Sequence, residues 1–475
     1  MSTNELALSL FIQEIPSLVS MSENIRNDYI GKAMRNLFCK LDSLALKRIR
    51  SALKAHKIMN STEFDQILTE TRQQVAISEF EKNGIPSISL SQPTGDWSNE
   101  ALKHMPKDIY LYASNICRYQ SGAMQELSDS MIVNLIDRSE VCCFYKESSN
   151  GISPVSLSKN HGEAIAAAVQ NNRDSMNEVI KVSKIPILVD EKGKPIIIGK
   201  GYNKEHKALV TNDYKILDIP FDKAVENLKS LIKDFQPASK SDKARILAAL
   251  ISPALAYGGL LGEGRVPIFY IEKNSHGAGG GFLAKTCIHL YGEQPEAVLG
   301  DSVDPAKLME EISAKLLAGS SFIFIDNVNG KLLTKTPKLE SMATEPVTEA
   351  RMPYKMGSVN MTSKVIFIVT NGATTSPDLA SRCVKINLRI QHRSYQWHNW
   401  PEGGLLEHIK ANQQLYLSSI YSVIGRWIEA GKPSGAVTGF RFNQWEGAMS
   451  WIMDSVCLGV TLMNDPKELE SLTSH

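Results

Sequence analysis

Apolar residues recur at three- and four-residue spacing from Asn4 to about Lys82, with few Gly or Pro between them, and that period predicts helices. The Pro, Ser and Gly of "GIPSISLSQPTGDWSN" (Gly84 to Asn99) then mark a connection, and a new domain is expected to start near Asp108. Short β-like runs follow: "EVCCFYKE" (Glu140 to Glu147), "KIPILVDEKGKPIIIG" (Lys184 to Gly199) with a hairpin turn at "EKGK", and "ALVTN" (Ala208 to Asn212). Two helical stretches separated by a Pro/Ser joint occupy Ile219 to Tyr257. Beyond them β-runs alternate with helical ones: "RVPIFYIE", "FLAKTCIHLYG", "PEAVLGD", "DPAKLMEEISAKLLAG", "SSFIFIDNV", "KVIFIVTN", "CVKINLRI". Such alternation predicts a parallel sheet covered by helices. From about Gln391 the pattern returns to helices. The expected plan is a helical N-terminal region (1–105), a small α+β domain (106–218), an α/β core (219–390) and a helical C-terminal region (391–475).

The longest uncharged run, "ILAALISPALAYGGLLG" (Ile246 to Gly262), contains Pro253 and a Gly pair and falls short of the roughly 20 residues a membrane span requires. It predicts a buried helix broken at the proline. A hydrophobic content of 43% suits a soluble globular chain, and 52 Lys+Arg against 51 Asp+Glu leave a formal charge of +1. That balance gives no global pull toward nucleic acid or membrane, so a local patch must meet any such partner. Seven cysteines, with only Cys142 and Cys143 adjacent, offer neither a disulfide framework nor a CxxC metal knuckle and fit a reducing cytoplasm. The opening "MSTNELALSLFIQEIPSLVS" has no basic stretch ahead of its apolar one and does not read as a signal peptide.

Candidate chemistry centres on "IEKNSHGAGGGFLAKT" (Ile271 to Thr286), where a strand passes through glycines into a helix and so forms an anion site. Laid on the phosphate-loop pattern GxxxxGK[ST], the frame puts Asn274 at the first Gly, Gly279 at the second, Gly280 at the Lys and Gly281 at the Ser/Thr. A glycine supplies no point charge to a phosphate and no hydroxyl to Mg²⁺. Lys285 and Thr286 read "KT" but lie about a turn inside the expected helix, while Lys273 flanks the loop from the strand side. On these residues alone, a plain glycine turn and a phosphate loop both remain open.

Further along, "SSFIFIDNVNG" (Ser320 to Gly330) ends an apolar strand in Asp326, as a strand delivering a metal-binding carboxylate would; Asn327 follows where many ATPases have Glu. "KVIFIVTN" ends in Asn371, whose amide can sit beside a γ-phosphate at the carboxyl edge of the sheet. "SPDLASRCVKINL" offers Asp378 and Arg382. Near the N-terminus, "KLDSLALKRIRSALKAHK" sets Lys47, Arg48, Arg50, Lys54 and Lys57 around an amphipathic helix, either a solvated face or a contact for a nucleic-acid backbone. A Rossmann-type dinucleotide site is disfavoured, because Glu293 and Glu296 follow a helix end rather than a strand.

The ordered segments "GAGGGFLAKTCIHLYG", "FIFIDNVNG", "ATEPVTEARMPYKMG", "FIVTNGATTSPDLASRC" and "RWIEAGKPSG" with "FNQWEGAMSWIM" resemble the helicase-like AAA+ ATPases of phages, plasmids and genomic islands, relatives of superfamily-three and poxvirus-type replicative helicases. The resemblance runs over roughly Ile185 to Asp465. It implies a P-loop core, ATP and Mg²⁺ as ligands, and DNA as partner in replication. It also implies a ring, commonly a hexamer, with sites at subunit interfaces. By motif, Gly277, Ala278, Gly279, Gly280 and Gly281 would form the phosphate loop, and Asp326 and Asn327 the metal-binding motif. Asn371 would be the sensor and Arg382 the trans-acting arginine. Arg351 and Lys355 of "EARMPYKMG" fall in the segment that such relatives point toward the pore. Departures at Gly280, Gly281 and Ser381 from the Lys, Ser/Thr and second Arg of relatives imply weak nucleotide binding and impaired hydrolysis; the alternative is a non-hydrolysing DNA-binding or regulatory component. Gly280→Lys with Gly281→Thr is then expected to raise ATP binding.

Overall fold

The computed structural model describes residues 3–475 except 83, 139–140, 149–150, 301–303, 354, 458–459, 466, 469–471 and 474–475. The chain forms two units, one made of Met1–Ile109 and Leu127–Met176, the other of Tyr110–Glu126 and Asn177–His475.

In the first unit the helices Thr3–Leu18, Glu23–Asn36, Ser43–Ala55 and Ser61–Lys82 bury Ile15, Met34, Phe38, Ile49, Leu53 and Phe64 against one another. The stretch expected to be a bare connection contributes a strand, Ser87–Ser89, that pairs in parallel with Cys143–Ser148 through Ser87↔Cys143 and Ile88↔Phe144. This non-local pairing divides the segment 106–218 between the two units. Local periodicity carries no trace of it, because the partner strand is more than fifty residues away.

The second unit is built on a six-stranded sheet. Its strands lie in the order Gln236–Pro237, Cys383–Arg389, Ile268–Lys273, Val365–Thr370, Phe322–Val328, Val298–Leu299, all parallel except the first. Taken in chain order, the five parallel strands stand fifth, first, fourth, third, second across the sheet. Ile268–Ile271, Phe322–Ile325 and Val365–Thr370 are buried on both faces, which is why they read as continuous apolar runs rather than alternating ones.

The helix Lys240–Gly258 is buried almost all round and, contrary to expectation, runs unbroken through Pro253. Proline removes one N–H and should leave carbonyls of the preceding turn open. The Tyr291 hydroxyl serves the adjacent pair, donating to Leu250 O at 2.7 Å and accepting from Ala254 N at 3.2 Å. Two C-terminal helices, Gln413–Glu429 and Asn443–Val456, complete the core, and Trp445 Nε1 donates to Ser252 Oγ at 2.8 Å. No helix among the described residues is long and apolar enough to cross a membrane.

Candidate functional site

The first parallel strand, Ile268–Lys273, ends at the point where the strand order reverses, the place where open parallel sheets bind ligands. The chain leaves it through a turn and enters the helix Gly280–Leu290. Gly277 (φ 85°) and Gly279 (φ 86°) take the left-handed backbone that this turn needs and that a side chain resists. Asn274, standing where a phosphate loop has its first Gly, ties the turn down: its N–H donates to Leu388 O at 3.1 Å and its Oδ1 accepts from Ile390 N at 3.0 Å. The opening amides of the helix have no intrahelical acceptor and make this end electropositive. Thr286 is buried with its hydroxyl on Phe282 O at 2.9 Å, so Lys285 and Thr286 are helix interior and not a displaced motif.

Asp326 and Asn371 come to the same edge, on adjacent strands joined by Ile325↔Ile368 and Val328↔Thr370. The register slips between Ile325 and Val328, which takes Asp326 and Asn327 out of the ladder with Val365–Thr370, while Asp326 still pairs with Leu299 on the other side. Asn327 has φ 55°, a conformation that Asn tolerates better than Glu, and its N–H donates to Asp326 Oδ1 at 2.8 Å. Backbone shape thus favours Asn over Glu at position 327. Asn371 is exposed just past its strand, beside Gly372 at φ 87°.

The spaces above Gly280 and Gly281 are filled. A Cβ on Gly280 would lie 2.8 Å from Lys273 Cγ, 3.0 Å from Lys273 Cδ and 3.0 Å from Val369 Cγ1. A Cβ on Gly281 would lie 2.8 Å from Asp326 Oδ2. Lys and Thr at these positions would therefore require Lys273 and Asp326 to shift.

Arg382 is not brought into this cluster. It precedes Cys383, which pairs with Ile268 at the opposite, amino edge of the sheet. Its side chain is 7% exposed, donates to Asp378 O at 2.6 Å and forms an ion pair with the Asp378 carboxylate, which Arg441 also approaches at 3.4 Å. The Arg382 guanidinium holds the Asp378 carboxyl below its ordinary value. As folded, Arg382 is engaged within its own chain.

The basic candidates lie elsewhere. On the helix Ser43–Ala55, Arg48 and Lys54 are exposed, while Arg50 pairs with Asp65 at 2.6 Å. Arg351 is exposed on the antiparallel hairpin Val347–Met352/Lys355–Asn360, where it stands opposite Met356. The side chain of Lys355 lies outside the described residues.

An aromatic cavity of about 380 Å³ adjoins the turn, and the sequence reading missed it. Gly277, Ala278, Gly279 and Phe282 form one wall; Phe235, Trp397, His398 and Trp400 face them. Trp400 is 8% exposed, and its Nε1–H has no partner among the described residues. The Trp-rich "SYQWHNW" (Ser394 to Trp400), polar otherwise and placed between strand and helix, was the signal available.

No protein-family profile matches this chain, and no curated protein does. Among solved structures, the apo C-terminal region of NrS-1 is similar with a TM-score of 0.36 at 12% identity, over 80% of this chain and 75% of that one. Another structure of that region gives 0.35 at 11% identity, over 77% and 90%. An active helicase, Cch of SCCmec type IV, gives 0.31 at 12% identity, over 76% of each chain. All three are distant likenesses.

Proposed function

We propose that this chain is a helicase-like, nucleotide-binding protein of a mobile genetic element, with an AAA+-type P-loop core that works on DNA as a ring, and that it turns ATP over slowly or not at all. The observation that carries the reading is the placement of a left-handed glycine turn at the reversal point of the sheet, with Asp326 and Asn371 on the strands beside it. The adjoining aromatic cavity has the size and lining for a nucleobase.

A nucleotide therefore fits the residues present. A divalent cation fits less fully: Asp326 offers a carboxylate, but Gly281 has no hydroxyl, so Mg²⁺ would draw most of its shell from phosphate and water. Bound there, the ion would neutralise phosphate charge. Asp326 would hold it, Asn371 would orient a water or phosphate oxygen, and the turn amides would cradle the phosphates.

The second reading, an oligomeric DNA-binding component without hydrolysis, is favoured by the crowding of Asp326 onto Gly281. Titration of the purified chain with ATP, followed by a hydrolysis assay with and without single-stranded DNA, separates the two. Turnover at ordinary helicase rates overturns the claim of impairment; no binding of ATP or adenosine at millimolar concentration overturns the nucleotide site itself. Charge reversal at Arg48 and Lys54, and separately at Arg351, should lower DNA affinity and flatten its dependence on salt at whichever surface makes the contact.

A further inference from the structure

We infer that Lys273 supplies the cation for a bound polyphosphate, reaching over the glycine turn from the last position of the preceding strand. The inference rests on the nucleotide reading above and adds the source of the positive charge that the loop itself lacks.

Three features converge on Lys273. Its stem follows the path that a side chain at position 280 would take, since Cγ and Cδ lie 2.8 and 3.0 Å from where a Cβ on Gly280 would be. Its half-buried stem leads the ammonium to the Asp326–Asn327 bulge, where Nζ stands 3.5 Å from Asn327 Oδ1, a long contact that a phosphate oxygen could readily displace. Finally, Gly280 is what makes the route possible: any larger residue there would meet the stem or Val369 Cγ1. The absent lysine and the glycine in its place are thus two sides of one rearrangement. Lys273 is the terminal residue of a strand that pairs on both sides, with Glu272↔Thr370 and Lys273↔Leu388, so its Cα is fixed as firmly as that of a loop lysine.

A lysine here is well matched to a di- or triphosphate and adds nothing to the binding of a bare nucleoside. That contrast is the test. Isothermal titration of the full chain with ATP, ADP and adenosine, repeated for Lys273→Ala and for Lys273→Gln, which keeps a stem over Gly280 but no charge, should show ATP and ADP affinity falling roughly tenfold to a hundredfold in both variants, the loss expected for a charge-assisted hydrogen bond. Adenosine affinity should not change. If both variants bind ATP as the parent does, or if ATP and adenosine weaken together, Lys273 is not the phosphate cation, and the nucleotide reading stands without it. If the parent binds none of the three ligands, that reading falls and this inference with it.

Discussion

Two clusters of opposite charge lie in the same unit of this chain and are built in contrary ways. Around Arg245 every donor is used. Its Nε donates to Leu462 O at 2.8 Å; Nη1 reaches Asp242 Oδ1 at 3.0 Å and Lys385 O at 3.3 Å; Nη2 reaches Met463 O at 2.9 Å and Glu468 Oε2 at 3.1 Å. Asp242 in turn accepts from Ser239 Oγ and from Asn387 N, and Arg245 and Asp242 themselves are shut away from water. Around Lys273, by contrast, the ammonium has, among the described residues, one contact at the limit of hydrogen bonding, and the carboxylate beside it is half-buried and rests against a glycine. A saturated buried cluster holds a fold together, and any loss is costly. An unsaturated cluster has donors and lone pairs to spare for the nucleotide proposed above.

Variants can break or sharpen that contrast. Arg245→Ala should give the largest effect, a loss of about 3–5 kcal/mol in unfolding free energy by urea titration, since it strands Asp242 in the interior. A loss under about 1 kcal/mol would mean that the cluster is not structural at all.

Lys364 is a third, intermediate case: buried, its ammonium donates to Ser320 O at 2.7 Å rather than to a carboxylate. Burial pushes its pKa down from 10.5 to about 8. Between those two values the unfolded chain holds a proton that the folded chain has released, so stability should rise with pH across that window, by on the order of 2–3 kcal/mol for this group. Lys364→Met should flatten that rise in denaturation curves recorded from pH 8 to 10. An identical rise in the variant would rule the group out as its source.

Tyr291→Phe comes next, with an expected cost of about 1–3 kcal/mol, because Leu250 O and Ala254 N both lose the hydroxyl that bridges Pro253. Smallest of all should be Lys273→Ala, whose stability is expected within about 0.5 kcal/mol of the parent in spite of its effect on ATP. A large loss of stability there would erase the distinction between the two clusters.

Much of the sheet was legible before any coordinates. The runs "VPIFYIE", "FIFIDN" and "VIFIVTN" are apolar for the whole length of a doubly covered strand, and each stops at a polar residue because it stops at an edge; Asp326 and Asn371 followed from that alone. Lys273 was visible as a neighbour of the loop, but its course was not, since a residue pattern does not show which side chain fills the room that Gly280 leaves. The aromatic cavity was hidden for a related reason: Phe235, Phe282 and Trp400 are far apart in the chain and meet only through the fold. The unbroken helix at Pro253 depended on a tyrosine in another element, a compensation that local propensity rules cannot register.

Occupation of the space above Gly280 also bears on which substitutions the turn accepts. A lysine at 280 beside Lys273 would crowd two stems into one channel. A single step from Gly280 to Lys meets Lys273 and Val369 first, and a step from Gly281 to Thr meets Asp326. Either change therefore calls for a shift of the side chain beside it, so the conformations of Lys273 and Asp326 are coupled to the absence of side chains at 280 and 281.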